Sequence, residues 1–422
     1  MIAEILMAVA CLVGLYMAWN IGANDVANAM GTSVGSGALT FKKAVIVAAI
    51  FEFAGAVLVG GHVTDTVRKG IVDPSAFAGD PMMLIIGMTC ALLAAAIWLH
   101  LASYMGWPVS TTHSIVGAVT GFGLVAVGTG AIKGGKLLFI VASWISSPLL
   151  GGLIAMLTFI IVRKYILDSH SPIAMLKKVG PWLVFPVFVI LMLSLFYKGL
   201  KKLKLDLPFS SALLYSALVA LGATILTWLL MKRLEPKPDA EPRYQLRVVE
   251  NNFVYLQILT ACFVAFAHGS NDVANAVGPL AAVVGTMQSG SVTSEVALPF
   301  WVLLLGAAGI VVGLATYGHK VMKTIGKEIT EMTPSRGFSA EFGAAATILL
   351  GSKLGLPIST THTLVGAVIG VGLARGISAL DTRVIKKIAY SWVITLPFSA
   401  ALCAVLFWIM RALLAGSTMT WG

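Results

Sequence analysis

Apolar stretches of about 20 residues recur along the whole chain, and they limit what it can fold into. Each stretch is long enough to cross the hydrocarbon core of a bilayer as a helix. In lipid, backbone N–H and C=O groups must be paired within the chain, which leaves only helices or a closed barrel. The stretch 138–162 is continuously apolar, whereas barrel strands alternate over about ten residues. We therefore predict an all-α polytopic membrane protein.

The composition agrees with this class. Of 422 residues, 58% are hydrophobic and only 11% are charged, too few to cover a water-facing surface. The net charge of +11 would suggest a nucleic-acid partner in a soluble protein, but here the basic residues cluster between apolar segments. We therefore expect membrane lipid as a partner and no nucleic acid. The apolar segments, about twelve in number, cover 3–20, 44–61, 83–106, 109–128, 138–162, 182–197, 210–231, 253–267, 298–317, 340–353, 357–374 and 388–414.

Two motifs occur twice, in the same order. GANDVANAMG from Gly22 recurs as GSNDVANAVG from Gly269, with eight of ten positions identical. PVSTTHSIVGAVTGFGL from Pro108 recurs as PISTTHTLVGAVIGVGL from Pro357. Similarly spaced polar motifs of this kind indicate an internal duplication.

The duplication predicts an organisation in four parts. We expect a first repeat at 1–162, two intervening transmembrane helices at 163–231, a polar linker at 232–252 and a second repeat at 253–422. An odd number of crossings then separates equivalent points, which would invert the second repeat, as in many secondary transporters. The Gly-rich second motifs follow directly on another apolar segment, so some segments are candidates for re-entrant hairpins, which would change that parity.

The first motif places a carboxylate among small apolar residues, at Asp25 and again at Asp272. A carboxylate at membrane depth costs several kcal/mol unless it is paired or neutralised. Carboxylate and amide oxygens together suit a hard cation, and the small residues between them allow close helix packing or a break that frees backbone carbonyls. The candidate Na+ ligands are Asp25, Asp272, Asn24, Asn271, Asn28 and Asn275.

The second motif is typical of a helix start, since Pro followed by Ser-Thr-Thr supplies a cap and hydroxyl donors. Unpaired N–H groups and the positive end of the helix dipole bind oxyanions at such a terminus. Caps without any ligand are common, but two identical triplets favour an anion site. The candidate anion-binding residues are Ser110, Thr111, Thr112, Ser359, Thr360 and Thr361, together with Asn28, Asn275, Asp25 and Asp272.

Four further polar residues lie within apolar runs. His113 and His362 end the triplets, where packing is more common than a proton-relay role. Glu52 has no acidic counterpart in the second copy, since aligning His62 with His319 places Gly309 opposite it. We treat Glu52 and Glu341 as candidate ion-binding or gating residues, with a solvated position near a membrane boundary as the alternative.

The motifs contain no Lys or Arg, yet two carboxylates and an oxyanion would meet in them. Such a site needs accompanying cations, Na+ or protons, and that need would couple entry of the anion to a cation gradient.

These motifs closely resemble the inorganic phosphate transporter (PiT) family, whose members carry GANDVANA in both halves. The resemblance implies phosphate uptake by an inverted-repeat carrier, driven by Na+ in some members and by H+ in others, and it makes Glu341, in GFSAEF, a counterpart of Glu52. It also implies inorganic phosphate and Na+ as partners, no cofactor apart from the co-transported ion, and a prokaryotic plasma (inner) membrane. A homodimer is a candidate assembly, because dimers are common among inverted-repeat carriers.

The leading hypothesis is Na+-coupled phosphate symport by alternating access. A proton-coupled carrier of phosphate or of a metal phosphate complex is the alternative within transport, and an anion channel is the alternative outside it. An enzyme is not expected, because the sequence contains no HExxH, nucleophile-elbow or P-loop motif.

Overall fold

Helices make up nearly all of the computed structural model, as the sequence predicts. The structure describes residues 2–62, 72–132, 134–196, 207–235, 240–292, 298–353 and 358–415. Within these ranges one isolated β-bridge, between Val72 and Ile132, is the only strand pairing. Pro357, residue 197, the linker residues 236–239 and the tail 416–422, on which some of the predictions above fall, lie outside the described residues.

Twelve long helices in these ranges correspond to the twelve predicted segments. They are α1 (Ile2–Gly35), α2 (Phe41–Val59), α3 (Pro81–Tyr104), α4 (Thr111–Ala126), α5 (Gly134–Val162), α6 (Pro172–Ser194), α7 (Phe209–Met231), α8 (Pro242–Ser289), α9 (Phe300–Tyr317), α10 (Pro334–Lys353), α11 (Thr360–Arg375) and α12 (Thr382–Ala415). Eight of the described helices are long and apolar enough to cross a membrane, namely α1, α3, α5 to α9 and α12. The chain is a multi-pass membrane protein.

The polar linker ends earlier than the sequence suggested. We expected it to run to residue 252, but α8 begins at Pro242 and continues for 48 residues. Pro is favoured at the first helical position, because its missing N–H is not needed there. Gln245, Val249 and Phe253, four residues apart, form one buried face of this first part of α8. Burial of that face explains why a charged segment is helical.

Helices of one half pack on helices of the other half in a repeated pattern. The pair α1–α9 recurs as α8–α2, and α4–α12 recurs as α11–α5. The pairs α3–α12 and α3–α8 likewise recur as α10–α5 and α10–α1. The two copies of the duplication are therefore interleaved, and neither half forms a separate core.

Glycines of the first motif allow this close packing. A Cβ atom on Gly22 would overlap the carbonyl oxygen of Ile310, and a Cβ on Gly269 would overlap that of Glu52. Both motif helices run unbroken through the motif, so the expected helix breaks are absent from α1 and α8. The small residues allow close contact between helices. The motif carbonyls keep their helical hydrogen bonds except that of Asn275, because Pro279 four residues later has no N–H to donate.

Candidate functional site

The two motif carboxylates lie inside the protein at the contact between α1 and α8. Asp25 and Asp272 are buried, with 0% and 2% of their surfaces exposed. An open cavity of about 640 Å³ elsewhere in the described structure is lined by residues near Gly35, Glu331 and Asp381, and no motif residue lines it. That cavity therefore does not include the motif site.

The two Ser-Thr-Thr triplets begin helices α4 and α11, as predicted. The hydroxyl oxygens of Ser110 and Ser359 each accept a hydrogen bond from the backbone N–H three residues later, at 3.2 Å. The first helical residues, Thr111 and Thr360, are buried. Amides in a first helical turn have no acceptor within the helix, so each terminus presents unpaired N–H groups and positive dipole.

The terminus of α11 contacts the motif of the opposite half. The Thr361 hydroxyl donates to Asp25 Oδ1 at 3.1 Å. The amide of Asn28 donates to the same Asp25 Oδ1 at 2.9 Å and to Thr361 Oγ1 at 2.8 Å. A helix start in the second repeat and a carboxylate motif in the first repeat thus form one hydrogen-bonded group.

The second copy of the carboxylate motif, around Asp272, contacts the N-termini of both α4 and α11. Asn275 Nδ2 donates to the hydroxyls of Thr111 and Thr112, at 3.2 Å each, and to Asp272 Oδ1 at 3.3 Å. The Thr360 hydroxyl donates to Asp272 Oδ2 at 2.9 Å. In both copies of the carboxylate motif, the aspartate and the asparagine three residues later are therefore hydrogen-bonded with threonines of the predicted anion site.

The remaining asparagines of the motifs take different positions. Asn24 is buried and holds the chain before α4, because its amide donates to Ser103 Oγ at 3.0 Å and to the Trp107 carbonyl at 3.1 Å. Its Oδ1 accepts from the Val109 amide at 3.3 Å. Asn271 is only half-buried. Within the described residues, these bonds of Asn24 go to the segment before α4 and not to the threonine hydroxyls.

His268 belongs to this cluster, and the sequence analysis missed it. Its Nε2 lies 2.9 Å from Asp272 Oδ2 and 3.6 Å from Asp25 Oδ2, and its Nδ1 lies 3.2 Å from Glu52 Oε2. The atoms that Asp25, His268 and Asp272 offer lie within 4.8 Å of one another, a grouping that can hold a metal ion. Alignment of the two copies contained the signal, since Ile21 stands where the second copy has His268.

The glycine contacts between helices identify the residue of the second half that corresponds to Glu52. Because Gly22 packs on the carbonyl of Ile310 and Gly269 on that of Glu52, Ile310 is the counterpart of Glu52. The alignment on histidines placed Gly309 there and was wrong by one residue. The second half still has no acid at this position, and Glu52 is fully buried.

Glu341 lies in a separate pocket of hydroxyl and amide donors. Its Oε1 accepts from Thr32 at 2.6 Å, Ser33 at 2.8 Å and Gln257 at 3.3 Å, and its Oε2 accepts from Thr260. It stands on α10, whereas Glu52 stands on α2, and these helices are not equivalent in the repeat. The expectation that the two acids are counterparts is therefore wrong. Both are buried, so the alternative of a solvated boundary position is also excluded.

The triplet histidines pack on aromatic rings. His113 and His362 meet edge to face with centroids 4.3 Å apart. His113 lies 3.6 Å from the Trp144 ring, and His362 lies 3.7 Å from the Trp392 ring. The two pairs repeat across the halves, in agreement with the packing interpretation.

Comparison with known proteins decides the family. The profile described as "Phosphate transporter family" matches residues 21–403. The chain belongs to the phosphate transporter family.

The similarity to other members of the phosphate transporter family extends over almost the whole length of this chain. It is 45% identical to a "Putative phosphate permease" of Haemophilus influenzae over 95% of both chains. It is 44% identical to "Inorganic phosphate transporter 2-1, chloroplastic" of Arabidopsis thaliana, over 96% of this chain and 72% of that one. A solved structure titled "The sodium-dependent phosphate transporter" matches with a TM-score of 0.87 and 42% identity, over 96% of this chain and 99% of that one. These names are those of transporters and permeases, so this family member is not an enzyme.

Proposed function

We propose that this family member carries inorganic phosphate across the membrane together with Na+, by alternating access to the buried cluster around Asp25 and Asp272. One observation carries the proposal: Thr360 and Thr361 at the start of α11 donate directly to Asp272 and Asp25. The threonines at the start of α4 join the same group through the amide of Asn275, which also donates to Asp272. An anion cradle and a cation-binding oxygen cluster then share one buried site, and neither charge can enter alone without a large cost.

The phosphate would be held by the two helix termini. Each offers unpaired backbone amides and hydroxyl groups, and such termini bind phosphate in many proteins. The proposed phosphate ligands share this position or the adjoining motif, and they are Ser110, Thr111, Thr112, Ser359, Thr360, Thr361, Asn28, Asn275, Asp25 and Asp272.

Sodium would be held by the motif oxygens. Asn28 Oδ1 is buried and has no hydrogen-bond donor. An unpaired buried oxygen is costly, and a hard cation satisfies it. The proposed sodium ligands also include Asp25, Asp272, Asn24, Asn271 and Asn275. The solved neighbour is a sodium-dependent phosphate transporter, which supports Na+ as the coupled ion.

Alternating access would follow from an inverted repeat. Helices α4 and α11 have 16 residues each, about 24 Å of helix, which is shorter than the hydrocarbon core of about 30 Å. We therefore propose that both are arms of re-entrant hairpins that carry the anion termini to mid-membrane. Glu52 and Glu341, both buried, would take part in ion binding or gating.

Proton coupling is the second candidate. The contact between His268 and Glu52 favours it, because both groups can exchange protons and lie next to the motif carboxylates.

Labelled phosphate uptake into proteoliposomes tests the proposal. An inward Na+ gradient at equal pH should drive uptake, and a pH gradient without Na+ should not. Asp25→Asn and Asp272→Asn should each abolish Na+-driven uptake, whereas Thr120→Val, which removes a hydroxyl bonded only to the carbonyl of its own helix, should keep it. Uptake driven equally by a pH gradient alone would support the proton-coupled carrier. Wild-type rates in both aspartate variants would refute the assignment of these residues.

A further inference from the structure

The two motif carboxylates differ in how fully they are hydrogen-bonded. Both oxygens of Asp272 have donors, since Oδ1 accepts from Asn275 at 3.3 Å and Oδ2 accepts from Thr360 at 2.9 Å. Asp25 Oδ1 accepts from Asn28 and from Thr361. Asp25 Oδ2 has no hydrogen-bond partner, although it is completely buried.

The two copies also differ in sequence next to their carboxylates. The second copy has His268 one position before its motif, whereas the first copy has Ile21 there. The imidazole lies closer to Asp272 than to Asp25, whose Oδ2 is 3.6 Å away and outside hydrogen-bond range. The two halves carry the same Ser-Thr-Thr triplet, but only the first copy of the carboxylate motif leaves a carboxylate oxygen without a donor.

The free acceptor adjoins one of the anion-binding termini. Thr361 is the second residue of α11 and donates to the Asp25 carboxylate. An oxyanion on the amides of this turn would therefore lie beside Asp25. Two anions in contact repel each other, unless one carries a proton that turns the contact into a short O–H···O⁻ hydrogen bond.

We propose that Asp25 is a specificity-determining residue, whose free Oδ2 accepts the hydroxyl of a protonated tetrahedral oxyanion. This inference rests on the proposed function and names what the phosphate site selects. Phosphate and arsenate keep at least one O–H group near neutral pH, and sulfate keeps none. A Na+ ion next to Asp25 would neutralise charge equally for phosphate and sulfate, so it does not discriminate between them, whereas the carboxylate does.

The test on the native protein is competition against labelled phosphate, bound to the purified protein in saturating NaCl. Arsenate should compete within about tenfold of phosphate. Sulfate and monofluorophosphate should compete at least about 100-fold more weakly, because a site with a buried polar group left unpaired rejects the analogue strongly. Monofluorophosphate is the sharpest probe, since its dianion has the charge and tetrahedral shape of hydrogen phosphate but carries fluorine in place of the hydroxyl.

The variants separate the two carboxylates. In Asp25→Asn the amide can donate to an unprotonated anion, so the preference for phosphate over sulfate should fall below about tenfold. Asp272→Asn removes the same charge from a carboxylate that is already fully hydrogen-bonded, and it should keep a preference of at least about 100-fold. The comparison uses binding, because both variants should lose Na+-driven uptake.

Monofluorophosphate binding to the native protein as tightly as phosphate, or an unchanged preference for phosphate over sulfate in Asp25→Asn, would overturn this inference. Neither result would contradict the proposed Na+-driven uptake by the native protein. Selective phosphate binding without Na+-driven uptake would instead overturn the proposed function and leave this inference standing. The native competition series decides the matter alone if either variant fails to bind phosphate.

Discussion

His268 and Glu52 lie 3.2 Å apart, through Nδ1 and Oε2, with neither side chain exposed. The corresponding positions of the other half carry Ile21 and Ile310. The same contact between helices is therefore polar in the pair α8–α2 and apolar in the equivalent pair α1–α9.

The double substitution Glu52→Ile with His268→Ile gives the α8–α2 contact the same two residues as the α1–α9 contact. Each single variant leaves a polar partner buried and should lower the free energy of unfolding by about 3–5 kcal/mol. The double variant should lose less than the sum, with a coupling of about 1–3 kcal/mol. Thermal or denaturant unfolding of the four proteins in one detergent measures this cycle. Additive losses would show that the pair is not energetically linked.

Thr361 is expected to matter for phosphate binding more than for folding. Its hydroxyl donates in a group with Asp25 and Asn28 at the start of α11. Thr361→Val should raise the KM for phosphate by about 10- to 100-fold, the value of a hydrogen bond to a charged group. The matched control is Thr120→Val on α4, whose hydroxyl bonds only to Val116 O. Equal KM values in the two variants would contradict the anion cradle.

Glu341→Gln tests the pocket of donors around that carboxylate. A glutamine amide would direct N–H groups at Thr32, Ser33 or Thr260, which donate to Glu341 in the native protein. The mismatch should cost about 1–3 kcal/mol of unfolding free energy, more if two donors lose their acceptor. Unfolding midpoints of the variant and the native protein give the value. A midpoint equal to the native one would mean that Glu341 is already protonated.

Glu331→Gln makes the same chemical change at the surface. Arg336, followed by Arg375, holds the pKa of the Glu331 carboxyl below its ordinary value of 4.5. Because the folded-state pKa is lowered, the stabilisation is present above about pH 4.5 and is lost as the pH falls through the folded value. The side chain is 75% exposed, so the effect should stay below about 1 kcal/mol. Unfolding at pH 7 and pH 3, in low and high salt, checks both the size and the sign.

Gly22→Ala should be among the most damaging small substitutions. A Cβ there overlaps the carbonyl oxygen of Ile310, so α1 and α9 must separate. We expect a loss of several kcal/mol, since backbone has to move. Gly222→Ala on α7 is the control, because no atom lies within 4 Å of its added Cβ. Its unfolding midpoint should stay the same or rise, and an equal loss in both variants would contradict the close-packing argument.

The sequence predicted the helices well because their signals are local. Hydropathy alone located twelve segments, and the Ser caps at Ser110 and Ser359 begin α4 and α11 as the motif predicts. Burial of a helical face is harder to read, and so the start of α8 at Pro242 was missed.

The candidate site was predicted in its residue types but not in its partners. The motifs identified Asp25 and Asp272, yet nothing local indicated that Thr361 of one repeat would donate to Asp25 of the other. His268 was overlooked for a related reason. The search followed what the two copies share, and the histidine is where they differ.

Interleaving of the two copies has a consequence for biosynthesis. While the ribosome is still adding α8 to α12, the carbonyl that faces Gly22 has not yet been made, and neither has Thr361, the donor to Asp25. The first seven helices are therefore made while Asp25 still lacks its donor Thr361, which only the last third of the polypeptide supplies.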